Sequence, residues 1–346
     1  MAVLAIVTSS PQSVEGGHLV IARSLEQAVR ACGHDAHVVI TPECQFGRQV
    51  SSYVETWRTD VSVAAGRKVD RVISLRFPSY AVRHRSHVCW LSHTMREYYD
   101  LWPRFAAQLS PHGRLKERVK RVAIRAADRW LLSRHVNQVV AQSHTIRRRL
   151  ATDLGVAADV LHPPPPQREY RCDAYGDYIF AVSRLTPLKR LDLLMRALAA
   201  PAAKRARAVV AGDGEGRAEL EHLIATLGLT ARVTLVGRIS DQTLLEHLAR
   251  CRAVCFPPFQ EDYGFVTVEA FASRKGVITC TDSGGPAELV SHGETGLVCD
   301  PTPEALAEAI GRVMDDRSLA ERLGSNAAER VSTMTWPAVV QRLLIG

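Results

Sequence analysis

Four consecutive prolines at positions 163–166 constrain the fold of this chain more than any other segment. Proline lacks a backbone N–H and fixes φ, so neither a strand nor a helix continues through such a run, and a stiff extended segment is expected. The run lies near the middle of 346 residues, a length that usually exceeds what one core organises. We therefore predict a domain boundary, with one domain at residues 1–165 and a second at residues 166–334.

Both halves alternate short apolar runs with segments whose apolar residues recur at helical spacing. Strands are predicted in the first half at residues 1–10, 37–40, 69–74, 87–91 and 139–141. Strands are predicted in the second half at residues 178–182, 207–211, 233–236, 253–256, 277–280, 283–286 and 296–299. Because strands that alternate with helices form parallel sheets, the fold class is α/β with two domains of similar construction.

The most informative local stretch follows the predicted strand at residues 253–256. Two prolines end the strand, and Gly264 releases the backbone so that a helix begins. The first N–H groups of that helix, at Gly264, Phe265 and Val266, lack partners within the helix and attract an anion such as a diphosphate. Glu261 in the loop and Glu269 in the helix flank this point. The alternative is that Glu261 is a solvated loop acid and Glu269 an exposed helix acid.

The segment Glu261-Asp-Tyr-Gly-Phe-Val-Thr-Val-Glu269 and the turn Ser283-Gly-Gly-Pro-Ala-Glu288 resemble motifs of a known family. They are similar to the E-x7-E region of retaining glycosyltransferases of the GT-B fold, specifically family 4, also called group 1. The resemblance implies two Rossmann-like domains that face each other across a cleft. The first would bind the acceptor and the second a nucleotide sugar, and residues 335–346 would form a helix that crosses back to the first domain.

The resemblance also implies a reaction. A hexosyl group would pass from a nucleoside diphosphate sugar to an acceptor hydroxyl, with retention of the anomeric configuration and without a metal or other cofactor. The base, whether UDP, GDP or ADP, stays open, as does the acceptor: a glycan, a lipid-linked glycan or a small metabolite.

Further donor-site residues are expected where strands end. Arg184 and Lys189 lie between a strand and a helix, where two cations suit a diphosphate, and they match the pyrophosphate clamp of the family. By the same resemblance, the catalytic residues are Glu261, His93, Arg184 and Lys189. The donor-binding residues are then Gly16, Gly17, Arg184, Lys189, Ile239, Glu261, Tyr263, Gly264, Phe265, Val266 and Glu269.

Lysine and arginine outnumber aspartate and glutamate by 44 to 36. Much of the excess lies at residues 114–134, where a helix at residues 115–132 is expected to carry an apolar stripe of Val119, Val122, Ala123, Ala126 and Trp130. Such a helix suits a peripheral contact with an anionic membrane, and its alternative is a solvated basic face. RNA-stacking motifs are missing from the sequence, so nucleic acid is not expected as a partner.

The remaining features set the expected context. The apolar N-terminus is short and lacks a basic region, so it predicts a buried strand rather than a signal peptide, and we expect a cytoplasmic protein that can also lie at the inner face of the membrane. The cysteines lack zinc spacing, which favours reduced core residues and no metal site. The alternative to an enzyme is a non-catalytic protein of the same fold that binds a sugar nucleotide, RNA or a membrane surface.

Overall fold

The computed structural model describes residues 1–10, 17–42 and 48–345. The chain divides into two compact units. The first comprises Met1–Pro166 together with Thr335–Gly346, and the second is Gln167–Met334. The proline run at residues 163–166 therefore ends the Met1–Pro166 segment of the first unit.

The first unit is built on a six-stranded parallel sheet and a short hairpin. Its strands are β1 (Val3–Ser10), β2 (Asp35–Pro42), β3 (Val63–Ala64), β4 (Arg67–Lys68), β5 (Arg71–Ser74), β6 (His87–Leu91), β7 (Gln138–Ala141) and β8 (Asp159–Val160). The sheet order is β2-β1-β5-β6-β7-β8, and β3 pairs with β4. All residues of β1 are buried because it has a neighbour on each side and helices cover the sheet, which explains its continuous apolar run.

The helices of this unit connect successive strands. They are α1 (Gly17–Ala31), α2 (Gln49–Arg58), α3 (Trp102–Ala107), α4 (Pro111–Trp130) and α5 (His144–Arg149). Wider π-helical turns extend α4 through Leu131–His135 and α5 through Leu150–Leu154. The Ser110 hydroxyl accepts a hydrogen bond from the backbone N–H of Gly113 and caps α4.

One buried carboxylate anchors α4 to the unit. The hydroxyls of Tyr53, Tyr80 and Tyr99 all donate hydrogen bonds to Asp128, at 2.5 Å for Tyr80 and 2.6 Å for Tyr99. Burial raises the pKa of Asp128 to about 6, although the three donors favour its charged form. Asp128 thus fixes which face of α4 turns inward.

The outward face of α4 carries the apolar stripe that the sequence indicates. Val119, Val122 and Trp130 of this stripe are 64%, 66% and 49% exposed, as is Leu115 beside it at 63%, while Ile124 and Asp128 face the interior. The helix is amphipathic as predicted, but its inner contacts are made largely by residues outside the stripe.

The second unit has a six-stranded parallel sheet with the order β11-β10-β9-β12-β13-β14. Its strands are β9 (Tyr178–Val182), β10 (Arg207–Ala211), β11 (Val233–Gly237), β12 (Ala253–Cys255), β13 (Val277–Cys280) and β14 (Gly296–Cys299). Numbered within the unit, the order is 3-2-1-4-5-6, that of a Rossmann sheet. The predicted strand at residues 283–286 is wrong: Gly284 makes a single bridge to Glu261, and a short helix begins at Gly285.

The helices of the second unit bury their apolar faces against this sheet. They are α6 (Leu191–Ala199), α7 (Arg217–Thr226), α8 (Asp241–Arg250), α9 (Phe265–Ala272), α10 (Gly285–Leu289), α11 (Pro303–Asp315) and α12 (Arg317–Ser332).

The last helix, α13 (Trp336–Ile345), packs on the first unit. The Trp336 indole donates to the carbonyl of Pro165 at 2.9 Å and meets Trp90 edge to face. Arg71 donates to the carbonyls of Leu343 and Leu344 and satisfies the helix end. Among the described residues, no helix combines the length and apolar character needed to cross a bilayer.

Candidate active site

The strand order of the second unit reverses between β9 and β12, and ligands of open α/β sheets bind beyond the carboxyl ends of the strands at such a point. The loop after β9 covers residues 183–190, and the loop after β12 covers residues 256–264. The predicted cations and Glu261 lie on these two loops, so the topology brings them to the same edge of the sheet.

The loop after β9 rests directly on the glycine-rich turn after β10. Leu185 donates its N–H to the carbonyl of Asp213 at 3.0 Å, and Gly216 donates to the carbonyl of Leu185 at 2.9 Å. A Cβ on Gly212 would lie 1.8 Å from the carbonyl oxygen of Ser183. The turn at residues 212–216 therefore needs glycine because another backbone occupies the space of a side chain.

Arg190 holds the two loops together. Its guanidinium pairs with both carboxylate oxygens of Asp282, at 2.8 and 2.6 Å. It also donates to the carbonyls of Pro257 and Pro258, each at 2.8 Å. The sequence predicted a clamp only from Arg184 and Lys189; this structural arginine beside them was missed.

Lys189 and Glu261 form the ion pair at the centre of the site. The Lys189 Nζ lies 2.6 Å from Oε2 of Glu261 and 5.4 Å from the centre of the Phe256 ring. Both side chains are largely buried, with 15% of Lys189 and 20% of Glu261 exposed. Arg184 lies on the same loop and is exposed.

The turn after β13 fixes the backbone of Glu261. Glu261 donates its N–H to the carbonyl of Ser283, and Gly285 donates to the carbonyl of Glu261, both at 2.9 Å. A Cβ on Gly284 would lie 2.4 Å from the backbone carbonyl oxygen of Glu261. A Cβ on Gly285 would lie 2.4 Å from the backbone carbonyl oxygen of Tyr263. The paired glycines let the two loops touch, which accounts for the Gly-Gly-Pro sequence.

Gly264 immediately precedes α9 as its N-cap and has a left-handed backbone, at φ +83°. Phe265 and Val266 supply the next two N–H groups, and their side chains pack partly buried on the core. Tyr263 is 3% exposed, with its ring in that core and edge-on to Phe265. Ile239 likewise packs against this core. The side chain of Tyr263 therefore anchors the loop after β12 to the hydrophobic core of the second unit.

Glu269 is only 6% exposed, so the alternative of an exposed helix acid is wrong. Arg168 pairs with its Oε1, and the Tyr170 hydroxyl lies 3.4 Å from the same oxygen. Burial raises the pKa of Glu269 to about 7, and the Arg168 charge and the Tyr170 hydroxyl oppose that rise. Arg168 and Tyr170 were missed, because they lie about a hundred residues away from Glu269 and carry no motif.

The other predicted residues belong to the first unit. His93 follows β6 and its Nδ1 lies 2.9 Å from the carbonyl oxygen of Thr94. Gly17 is the exposed first residue of α1, and Gly16 lies outside the described residues. The site of the second unit therefore unites Arg184, Lys189 and Glu261 with the start of α9, with Glu269 on the same helix.

Comparison with known proteins identifies relatives of the second unit and of the whole fold. A family model described as "Glycosyl transferases group 1" matches residues 170–330, nearly the whole second unit. The Alpha-D-kanosaminyltransferase of Streptomyces kanamyceticus is 35% identical over 155 residues, which are 43% of this chain and 39% of that protein. The chain thus spans about two fifths of the length of this curated relative.

Solved structures resemble the whole chain. The sucrose-phosphate synthase of Thermosynechococcus elongatus has a TM-score of 0.79 at 18% identity and covers 99% of this chain and 97% of its own. Anabaena Alr3699/HepE, solved in complex with UDP and glucose, has a TM-score of 0.69 at 18% identity and covers 100% of this chain and 98% of its own. The protein therefore has the GT-B fold. The group 1 glycosyltransferase model matches nearly all of the second unit, and glycosyltransferases are among its relatives, which confirms the predicted resemblance to that group.

Proposed function

We propose that this protein is a retaining, metal-independent glycosyltransferase that moves a hexosyl group from a nucleoside diphosphate sugar to an acceptor hydroxyl. The observation that carries the proposal is the Lys189–Glu261 pair at the point where the Rossmann sheet reverses, within a group 1 glycosyltransferase domain.

Each residue has a role that follows from its charge and position. Arg184 and Lys189 neutralise the diphosphate together with the first N–H groups of α9, a stabilisation that strengthens as the leaving group gains charge. Glu261 contacts the hexose, and Glu269 accepts hydrogen bonds from the ribose hydroxyls. His93 contributes a sugar contact, as the family resemblance implies.

Retention requires that the new bond forms on the face from which the old one leaves. The acceptor oxygen bonds to the anomeric carbon as the carbon–oxygen bond to the diphosphate breaks, and the acceptor proton passes to the departing phosphate oxygen. A cationic pocket around the diphosphate favours this loss of the leaving group without a separate protein nucleophile.

The test is a panel of UDP-, GDP- and ADP-hexoses, assayed for hydrolysis and for transfer to diverse acceptors. We expect one nucleotide series to turn over, the product anomer to match the donor by NMR, and Lys189→Met to abolish the reaction. Glu321→Gln, which changes a partly exposed α12 residue paired with Arg317, is the control. Binding without turnover would favour the non-catalytic alternative, and an inverted product would refute retention.

We also propose that α4 contacts an anionic membrane surface. Exposed apolar residues at positions 115, 119, 122 and 130 recur at helical spacing, and Arg114, Lys116, Arg118 and Arg129 are exposed on the same helix. Both acids of α4 are turned inward: Glu117 binds Tyr98 and Lys120, and Asp128 binds tyrosines. The outer face thus combines apolar and basic groups, as interfacial helices do, and each basic residue near such a surface adds about 1 kcal/mol.

Vesicle co-sedimentation tests this surface. We expect binding to vesicles that contain phosphatidylglycerol but weak binding to pure phosphatidylcholine, with a loss at high salt. Val119→Ser with Val122→Ser should weaken binding, whereas Ile345→Ser, an equally exposed apolar change at the C-terminus, should not. Equal binding of the double variant and the wild type would overturn the proposal, as would binding to RNA in preference to vesicles.

A further inference from the structure

We propose that Arg168 is a positioning residue for nucleotide binding, which holds one oxygen of Glu269 and leaves the other for the ligand. The inference rests on the proposed function, in which Glu269 receives the ribose hydroxyls. It adds a residue that neither the motif nor the family match marks, since Arg168 lies just before the matched residues 170–330.

The geometry is that of a guanidinium fork. One terminal nitrogen, Nη1, pairs with Oε1 of Glu269, and the other, Nη2, lies 2.8 Å from Oδ1 of Asp241 at the start of α8. The planar guanidinium cannot turn without breaking one of these bonds, so its orientation is fixed. Arg168 follows the proline run by two residues, in a segment whose entry direction is itself restricted.

The two oxygens of Glu269 differ in their surroundings. Oε1 receives Arg168 and the Tyr170 hydroxyl. Within the described ranges, Oε2 accepts no hydrogen bond from the protein, and it is not among the fully buried unpartnered atoms. A carboxylate with one oxygen anchored and one accessible is prepared to accept a hydroxyl pair without reorientation.

The same contact decides the charge of Glu269. Burial alone drives this carboxylate toward its neutral form, and Arg168 is the foremost group that opposes it. Tyr170 also favours the charged form, whereas Asp241, which is 72% exposed, opposes it weakly. A neutral acid would be a poorer acceptor for ribose hydroxyls than the carboxylate.

Other titratable groups stand on the elements packed against α9. They are Cys255 on β12, Cys280 on β13, Glu288 on α10, and Arg317, Glu321, Arg322, Glu329 and Arg330 on α12. Arg330 donates to the Ser291 hydroxyl at 2.6 Å, and none of these groups is among the main influences on Glu269. Arg168 is therefore the residue whose removal should change the ionisation of Glu269.

The experiment measures the affinity of the full-length protein for UDP, GDP and ADP by calorimetry, from mildly acidic to mildly alkaline pH. In the wild type, affinity should rise with pH through a midpoint near the pKa of Glu269, about 7. In Arg168→Met, the midpoint should move up by about 1–3 pH units, with affinity at neutral pH at least about tenfold weaker. Glu269→Gln should remove this titration and reveal any that belongs to the phosphates.

Three further variants keep the test decisive. Arg168→Lys retains the charge and should keep the midpoint near that of the wild type. If Arg168→Met proves too unstable to measure, Arg168→Gln also removes the charge and should show the raised midpoint in its place. Arg171→Gln, an exposed change three residues along the chain, is the matched control.

Failure of the inference can be told from failure of the proposed function. If the wild type binds none of the three nucleotides, the proposed function fails. If it binds one, but the Arg168 variant without the charge keeps the wild-type midpoint and affinity, or loses affinity equally at every pH, Arg168 does not set the state of Glu269 and the inference is overturned.

Discussion

The ammonium of Lys189 lies 2.6 Å from Oε2 of Glu261, although the two residues are 72 positions apart in the chain. Their loops follow β9 and β12, the neighbouring strands between which the sheet order reverses. Lys189, which is expected to bind the diphosphate, thus contacts Glu261, which is expected to bind the sugar. Before a donor binds, each side chain is held by the other.

This pair should be measurable as an energetic coupling. We expect Lys189→Met and Glu261→Gln to show a favourable interaction of about 0.5–3 kcal/mol in a double-mutant cycle, because both groups are mostly buried and in direct contact. The quantity to measure is the free energy of unfolding in urea. Strict additivity of the two single changes would show that the contact does not form in solution.

The glycine turn below Glu261 should be intolerant of even one methyl group. Gly285→Ala would place a Cβ 2.4 Å from the carbonyl oxygen of Tyr263. The backbones at Gly285 and Tyr263 cannot move apart without breaking the hydrogen bond from the N–H of Gly285 to the carbonyl of Glu261. We expect a loss of stability of about 1–3 kcal/mol and lower turnover.

Gly113→Ala is the natural comparison for this change. Gly113 lies in α4, and its nearest neighbour to an added Cβ is the Ser110 hydroxyl at 3.2 Å. Equal thermal stability of the two variants would mean that the turn after β13 does not pack on the loop after β12 as described.

Chelation should leave the activity unchanged. Arg184, Lys189 and the N–H groups at the start of α9 supply positive potential where the diphosphate is expected, so protein groups can carry the leaving-group charge. Turnover of the donor identified by the panel should be the same with and without EDTA. Loss of turnover that magnesium or manganese restores would refute this expectation.

The strands were the most predictable part of the fold. Residues 178–182, 207–211, 277–280 and 296–299 were assigned with the bounds that the structure has, because each is a short apolar run that turn residues close. The helices α7, α8 and α12 were not assigned. In α12 the buried residues Leu319, Leu323, Ala327 and Val331 are four positions apart, so a usable signal was present.

The candidate site was predictable only as far as local patterns extend. Glu261, Gly264 and Glu269 stand at informative spacing within one strand-loop-helix segment, whereas the Arg168–Glu269 contact joins residues 101 positions apart. Pairing of that range depends on the packing of the whole unit, and no residue near Arg168 indicates it. The orientation of α4 could not be predicted for the same reason. Asp128 turns inward because the hydroxyls of Tyr53, Tyr80 and Tyr99, all distant in the sequence, donate hydrogen bonds to it.

The buried carboxylate of Asp128 should make stability depend on pH. Its pKa is about 6 in the folded protein and about 3.9 in an unfolded chain, so the folded state binds the proton more tightly. Stability should therefore be highest below about pH 4 with respect to this group, and fall by about 2–3 kcal/mol as pH rises through about 6. Urea midpoints over this range measure the effect.

Two substitutions assign the effect to Asp128. Asp128→Asn should flatten the dependence, whereas Asp177→Asn, at a highly exposed position, should leave it unchanged. Tyr80→Phe removes a donor to the charged form, so the decline should extend to higher pH. If Asp128→Asn shows the same pH dependence of stability as the wild type, Asp128 does not contribute to that dependence.

Substitutions of Glu261 and Glu269 should change different kinetic and binding parameters. If Glu261 contacts the transferring sugar, its interactions change as the glycosidic bond breaks, so Glu261→Gln should mainly lower kcat and blur discrimination between epimeric sugars. If Glu269 accepts the ribose hydroxyls, its contacts are the same in the ground and transition states. Glu269→Gln should then weaken binding of the nucleoside diphosphate and of every sugar donor alike, by about 1.5–3 kcal/mol.

The structure sharpens this contrast, because Glu261 pairs with a lysine beside the expected diphosphate, whereas Glu269 is buried and anchored by Arg168. Steady-state kinetics gives the effect on kcat, and calorimetry with the nucleoside diphosphate gives the effect on affinity. If Glu269→Gln binds the diphosphate normally while Glu261→Gln does not, the two roles are reversed, and the carboxylate that meets the ribose is the one on the loop.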